Sequence, residues 1–594
     1  MDARAEHTAG SDRIVSGRNH GFFRAVAVDY DGTIAEHDVP HPEALSALSD
    51  LRATGVKVVL VTGRILCELR EVFPAVDDTF DLIIGENGAV VSRRHTDRPL
   101  VAPVPDQLAD ALDATGVSFQ RGQALLACQG SDEAAVLSQV RRLGLECELL
   151  RNRGALMVLP AGVSKGFGLF EGLGELGISH HNTIAIGDAE NDHSLLEVAE
   201  VGVTVANAVE SLKAHADLVL DEADGRGVAS LLRGPVLTGA QLVHPRRWQI
   251  TLGSTSEGIP VSVPASQVNL LVLGTPRRGK SYVAGLIAER LVRLGYSVVV
   301  FDPEGDHVSL GRLRGVLVVG GDSRLPPADE LVRLLSHRFA SVVVDLSGVA
   351  ADERADYLRV VLAAMEEERA RTGLPHWVVI DEAHGPLGRD GTARAFVEPA
   401  ARGYCLVTHQ PADLCPEVLL GVDVLIALPG EQDVEPMVSL VAAAAAVPRA
   451  AARRSIREAG PDHAVLVDRN QPGSCTVLSI AQRETSHLRH WHKYSQGRLP
   501  WERRFYFRTD WDTATGRTAG SIEELEHELL ACSEAAISHH CIHRDLSRWI
   551  AEVLGDPPLA ARVSEIEDAL GAGATTAAVT RQSLTEAIHQ RHPE

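Results

Sequence analysis

Lysine is almost missing from this chain: Lys57, Lys165, Lys213, Lys280 and Lys493 are the whole supply in 594 residues, and arginine carries nearly all the positive charge. Aromatic residues are also scarce, at 4%. The eight cysteines form no CxxC pair and no evenly spaced framework, so nothing points to a disulfide scaffold, and reduced thiols are expected. A basic excess is absent too. The formal charge of −23 and a pI near 5.5 argue against coating nucleic acid through net charge, which needs clustered Lys and Arg. No apolar run approaches the ~20 residues of a membrane span, and the first twenty residues lack the apolar stretch of a secretion signal. A cytoplasmic protein with no membrane partner is expected.

What is present is length enough for roughly three to four domains. After a polar and flexible N-terminus (residues 1–21), β-branched runs alternate with amphipathic stretches from Phe23 onward, the pattern of a parallel sheet covered by helices. This first α/β domain spans 22–235. A different texture over about 90–160 reads as an inserted α+β cap. A second α/β domain runs over 241–480, with strand candidates that each end in a polar residue, as expected where strand carboxyl ends build a site. The tail, 481–594, is rich in histidine and aromatics and reads as a small helical or α+β module.

In the first domain Asp29-Tyr30-Asp31-Gly32-Thr33 follows an apolar strand. Two carboxylates at i and i+2 past a strand end face one pocket, where one can attack phosphorus and the other handle a proton. Val61-Thr62-Gly63-Arg64, Lys165 in GVSKGFGL, and Gly187-Asp188-Ala189-Glu190-Asn191-Asp192 follow in order. Together they resemble the haloacid dehalogenase superfamily, in its Cof-type or IIB branch, and Gly85-Glu86-Asn87-Gly88-Ala89 resembles that branch too. The resemblance implies a Rossmann-like domain acting as a phosphomonoester hydrolase. Asp29 would be the nucleophile that forms an aspartyl-phosphate, and Asp31 the general acid and then base. Thr62, Lys165 and Asn191 would bind the phosphoryl group. Asp29, Asp31 (by its carbonyl), Asp188 and Asp192 would hold Mg²⁺, a cation that suits converging hard oxygen donors. The implied substrate is a small phosphorylated metabolite or nucleotide. His37, His180 and His181 read as surface histidines.

In the second domain Gly274-Thr275-Pro276-Arg277-Arg278-Gly279-Lys280-Ser281 fits GxxxxGK[ST] between a strand and a helix. Backbone amides of such a loop cradle phosphates, Lys280 reaches the β and γ oxygens, and Ser281 binds Mg²⁺. Later the strand WVVI ends in Asp381-Glu382-Ala383-His384. Asp381 is placed for the Mg²⁺ shell and Glu382 to polarise water, which favours ATP hydrolysis over phosphate delivery to an acceptor. Asp302 to Asp306 and Thr408-His409-Gln410-Pro411 complete a resemblance to the HerA/FtsK group of RecA-like ring ATPases. That resemblance implies a γ-phosphate sensor at Gln410 or His409, a homohexameric ring and an arginine supplied by a neighbour, for which Arg394, Arg402, Arg453 and Arg454 are candidates. Three readings stay open. They are a phosphatase organised by a ring ATPase, a nucleic-acid translocase with an end-processing phosphatase, and a bifunctional kinase and phosphatase.

In the tail, His487, His490, His492, His539, His540 and His543 have tolerable metal-ligand spacing but no flanking carboxylate or cysteine pattern, so buried histidines are preferred. Trp491, Tyr494, Trp501 and Phe505 to Phe507, interleaved with Arg503, Arg504 and Arg508, read as the core of a docking module before a base-stacking surface.

Overall fold

The structure is a computed structural model that describes residues 21–152, 154–276, 278–321, 323–388, 402–430, 435–460, 463–485, 504–554 and 556–591. His487, His490, His492, Trp491, Tyr494, Trp501, Arg503, Arg277 and Arg394 lie outside them. Two compact units are distinguished. The first joins Met1–Val299, Pro327–Val342 and Ala355–Gln482, so it holds both candidate phosphate-binding motifs. The second joins Val300–Pro326, Val343–Arg354 and Arg483–Glu594.

In the first unit an eight-stranded sheet runs Leu218–Val219, Val201–Thr204, Thr183–Gly187, Ala25–Asp29, Lys57–Val61, Leu82–Gly85, Val90–Arg93, Thr96–Pro99. The first six are parallel neighbours, and Ala25–Asp29 is buried throughout, as expected for Val- and Ala-rich runs covered by helices on both faces. Residues 90–99, read from the sequence with the cap, add two antiparallel strands to this sheet. The cap has its own four-stranded antiparallel sheet, from Phe119–Arg121 to Ala155–Pro160, and two helices, Asp106–Ala114 and Glu133–Leu143. They close over a separate apolar core that includes Leu108, Leu112, Leu126, Val136, Leu156 and Val158.

The same unit carries the P-loop sheet. Its strands that lie wholly in this unit run Pro260–Pro264, Gln249–Ser254, Thr476–Ile480, His463–Asp468, Val424–Leu428, Leu270–Gly274, Tyr404–Thr408, Trp377–Ile380. The last four are parallel, which sets Gly274, Thr408 and the residue after Ile380 at one carboxyl edge.

In the second unit Asp302 secures its own loop. Its carboxylate accepts the N–H groups of Glu304, Gly305, Asp306 and His307 at 2.7–3.3 Å. The C-terminal module is mainly helical, with a ribbon of Phe505–Arg508 and Ala514–Ala519, and Phe505 and Phe507 enter a core with Leu525, Trp549, Leu559 and Leu584. Glu567 is buried there, accepting N–H from Leu546 at 3.1 Å and Ser547 at 3.3 Å, and burial pushes its pKa up to about 7. A carboxyl whose folded value is raised contributes stability that is present below its ordinary value and lost as pH rises through about 7. Hydrogen exchange along Pro557–Gly571, corrected for intrinsic rates, is therefore expected to quicken from pH 6 to pH 8. Glu567→Gln should remove that dependence.

Among the described residues no helix is long and apolar enough to cross a membrane. All eight cysteines are free thiols.

Candidate active sites

Three neighbouring parallel strands end at Asp29, Val61 and Gly187, so Asp29, Thr62 and Asp188 meet at one sheet edge by register alone. Lys165 arrives from the helix Lys165–Leu176, whose first turn is fixed by the Ser164 hydroxyl accepting Phe167 N–H at 3.1 Å. That helix can approach because of two glycines. A Cβ at Gly88 would lie 2.0 Å from the Ser164 carbonyl oxygen, and one at Gly168 would lie 2.5 Å from Gly88 Cα.

Lys165 Nζ lies 2.6 Å from Asp29 Oδ1 and 2.7 Å from Asp192 Oδ1, with all three side chains buried. The other Asp192 oxygen accepts N–H from Asp188 and Ala189, both at 3.0 Å, and so shapes its own loop. Burial pushes the Asp29 carboxyl well above the usual carboxylate range; Lys165 opposes this, while Asp192 and Asp188 reinforce it. Burial works to lower the Lys165 ammonium, yet Asp192 and Asp29 outweigh it and raise the value. One oxygen each of Asp29, Asp188 and Asp192 lies within 4.8 Å of the others. Three buried carboxylates facing one ammonium leave surplus negative charge on hard oxygen donors, a set that fits a hard divalent cation.

Thr62 is fully buried at the second strand end, its hydroxyl accepting Arg64 N–H at 3.2 Å. Asn191 donates to Asn87 Oδ1 at 3.2 Å. Asp31 sits at the rim, where Arg64 grips it through Nε at 2.9 Å and Nη2 at 2.5 Å. Glu86 is fully buried, and its carboxylate accepts N–H from Gln123, Ala124 and Leu125 at 2.7–3.2 Å, binding a cap loop to the parent domain. The sequence singled out the segment around Glu86 but no role for it. Glu86→Ala strands those three amides and is expected to cost about 2–4 kcal/mol in denaturant unfolding, with faster exchange at residues 123–125.

At the P-loop, Gly279 takes φ of 81° just before the helix Lys280–Arg293, which presents Lys280 and Ser281 in its first turn. Lys280 is 7% exposed, and no ion-pair partner for its ammonium is found among the described residues. Gly274 ends the preceding strand against Leu428, where a Cβ would lie 2.8 Å from the Leu428 Cβ. Asp381 is buried at the end of Trp377–Ile380, and Glu382 follows in the left-handed region, φ 49°. Glu382 Oε2 lies 2.8 Å from His409 Nδ1 and 3.3 Å from His384 Nδ1. Of the two sensor candidates, then, His409 touches the Glu382 carboxylate, while the Gln410 side chain is exposed. Arg402 pairs with Asp423 at 3.2 Å and Arg453 pairs with Glu435, whereas Arg454 is exposed.

His37 is exposed as expected, but His180 and His181 are buried, the latter completely, because Trp248 and Tyr296 pack against them. In the C-terminal module His540 is committed within the fold. Its Nε2 accepts Arg508 N–H at 2.8 Å, which leaves Nδ1–H to donate to Asp545 at 2.8 Å.

A parallel sheet with an Asp, a Thr, an Asp-rich loop and a buried Lys at its carboxyl edge defines a phosphoryl-handling hydrolase site. Residues 26–119 and 150–232 match the haloacid dehalogenase-like hydrolase family. Residues 250–328 match the central domain of helicase HerA. The phosphoglycolate phosphatase of Archaeoglobus fulgidus is 32% identical over 221 residues, 35% of this chain and 96% of that protein. That of Methanopyrus kandleri is 32% identical over 224 residues, 35% of this chain and 95% of that protein. Among solved structures, a haloacid dehalogenase-like hydrolase from Bacteroides thetaiotaomicron shows 19% identity and a TM-score of 0.32, covering 35% of this chain and 98% of that one. Through its first domain the chain belongs to the haloacid dehalogenase-like hydrolases, and that domain is a phosphatase domain fused to a HerA-like one.

Proposed function

We propose that the first domain hydrolyses the phosphomonoester of a small phosphorylated acid through an aspartyl-phosphate on Asp29, and that the P-loop domain hydrolyses ATP within a homohexameric ring. The observation that carries the first part is the buried set of Asp29, Lys165, Asp188 and Asp192. The relatives named as phosphoglycolate phosphatases support an acid as substrate.

Asp29 Oδ attacks phosphorus, and the leaving alkoxide takes a proton from Asp31; Asp31 then withdraws a proton from the water that releases phosphate. This role asks Arg64 to loosen its hold on Asp31 once an anionic substrate offers another partner. Lys165, Thr62 and Asn191 hold phosphoryl oxygens. Asp29, Asp188, Asp192 and the Asp31 carbonyl would hold Mg²⁺, which when bound neutralises charge on the phosphoryl group. At the second site the loop from Gly274 to Gly279, with Lys280, takes the ATP phosphates. Ser281 and Asp381 would hold the nucleotide's Mg²⁺, Glu382 orients water, and His409 or Gln410 faces the γ-phosphate. A neighbour's arginine completes the site, Arg454 being exposed for that task.

A full-length preparation with Mg²⁺ is expected to release phosphate from 2-phosphoglycolate at kcat/KM at least about tenfold above hexose 6-phosphates. Equal or inverted rates would sink the acid reading. Sedimentation with ATP should give a hexamer, and a monomer with full ATPase activity would overturn the ring.

A further inference from the structure

We propose that the two phosphate sites are coupled through a buried junction in which His181, Glu200 and Tyr296 join the far ends of two helices, one beginning at Lys280 and the other following Asp192. This rests on the reading that both sites are active.

The helix Lys280–Arg293 starts at the P-loop and ends at Leu294, and Tyr296 N–H returns to the Leu291 carbonyl at 3.0 Å. The helix His193–Val198 starts where the Asp192 loop stops and ends two residues before Glu200. Between these ends, His181 Nδ1 lies 2.7 Å from Glu200 Oε2 and its Nε2 lies 3.0 Å from the Leu294 carbonyl oxygen. Tyr296 donates its hydroxyl to the same carboxylate, 2.8 and 3.1 Å from its two oxygens, and Ser266 donates there too. The Tyr296 ring stacks on His181, centroids 3.7 Å apart. Both His181 ring nitrogens thus face oxygen atoms, one from each helix end. His181 and Glu200 are fully buried and Tyr296 is 2% exposed, so no water can substitute for a lost partner.

Arg247 tightens the second helix end. It donates to the carbonyls of Leu196, Ala199 and Glu200 at 2.8–3.1 Å while holding Asp217 at 2.6 and 2.7 Å. A shift of the P-loop helix along its axis therefore presses on Glu200, on the short helix and on Asp192, which grips Lys165 beside the nucleophile. His181, Glu200 and Tyr296 are positioning residues that act through Asp192.

Contiguity alone does not establish coupling, so the test is thermodynamic. In the full-length protein, saturating non-hydrolysable ATP analogue is expected to change KM or kcat for p-nitrophenyl phosphate by at least about fivefold. Tyr296→Phe, which keeps the stacked ring, and Glu200→Gln should each reduce that change to less than about twofold, while turnover without nucleotide stays within about twofold of the parent. Coupling is overturned if both activities are present and the analogue changes nothing, or if both variants retain the full response. An analogue that fails to bind at all overturns the ATP reading instead, and the coupling falls with it.

Discussion

Asp29→Asn is expected to lower phosphomonoester turnover by roughly 10⁴- to 10⁶-fold while leaving the protein folded. The amide has nearly the shape of the carboxylate, so the buried pocket keeps its packing. Its oxygen, however, is no nucleophile toward phosphorus, and one of the three converging charges is gone. Lys165 retains Asp192 as a partner at 2.7 Å, so its ammonium is not stranded. Steady-state kinetics with p-nitrophenyl phosphate and Mg²⁺, alongside circular dichroism, check this. Turnover within tenfold of the parent would remove Asp29 from the role of nucleophile.

Two variants at the P-loop are expected to fail in different ways. Lys280→Ala removes a buried ammonium that faces the loop and should abolish detectable ATP binding in calorimetry. Glu382→Gln should keep nucleotide affinity within a few-fold and lose about 10²–10³ in hydrolysis, because the amide cannot draw a proton from water and pairs less strongly with His409. If Glu382→Gln hydrolyses at the parent rate, or if γ-phosphate from the parent is recovered on an acceptor, water is not the natural partner of this site and a kinase is the better account.

The strand ends that carry both candidate sites were readable because parallel strands covered on two faces appear as unbroken apolar runs. AVAVD, VVLVTGR, TIAIGD, LLVLG and WVVIDE each carry such a run, and the sheet registers bring Asp29, Thr62 and Asp188 together at one edge, Gly274 and Thr408 at another. The cap edge was less legible. Val90–Arg93 is short and mostly buried, Thr96–Pro99 short and mostly exposed, and nothing local says that the first pairs with Leu82–Gly85 and the second with the first, and not with the cap sheet. Partners distant in sequence were hidden altogether. Arg64 lies 33 residues from the Asp31 it restrains. His181 meets the Leu294 carbonyl across 113 residues, so a histidine in a polar stretch read as surface although its environment is supplied by another domain. The aromatic tail read correctly in part, since Phe505 and Phe507 do pack into a core, with their alternation placing Arg504, Tyr506 and Arg508 on the other face.

The seam between the phosphatase sheet and the P-loop sheet also bears on how the gene can be dissected. Besides the Glu200 cluster, Arg24 donates to the Arg369 carbonyl at 2.8 Å, and the Arg338 guanidinium lies over the Phe170 ring at 4.6 Å while donating to the Phe170 carbonyl at 2.8 Å. A stop codon near residue 240 would look harmless on a sequence map. It would uncover a paired Glu and His, an Arg24 that has lost its Arg369 acceptor and an aromatic surface all at once, and such a fragment should be recovered mainly from inclusion bodies. Excision is better done with compensating surface substitutions at His181, Glu200 and Phe170 than by trimming the end of the reading frame.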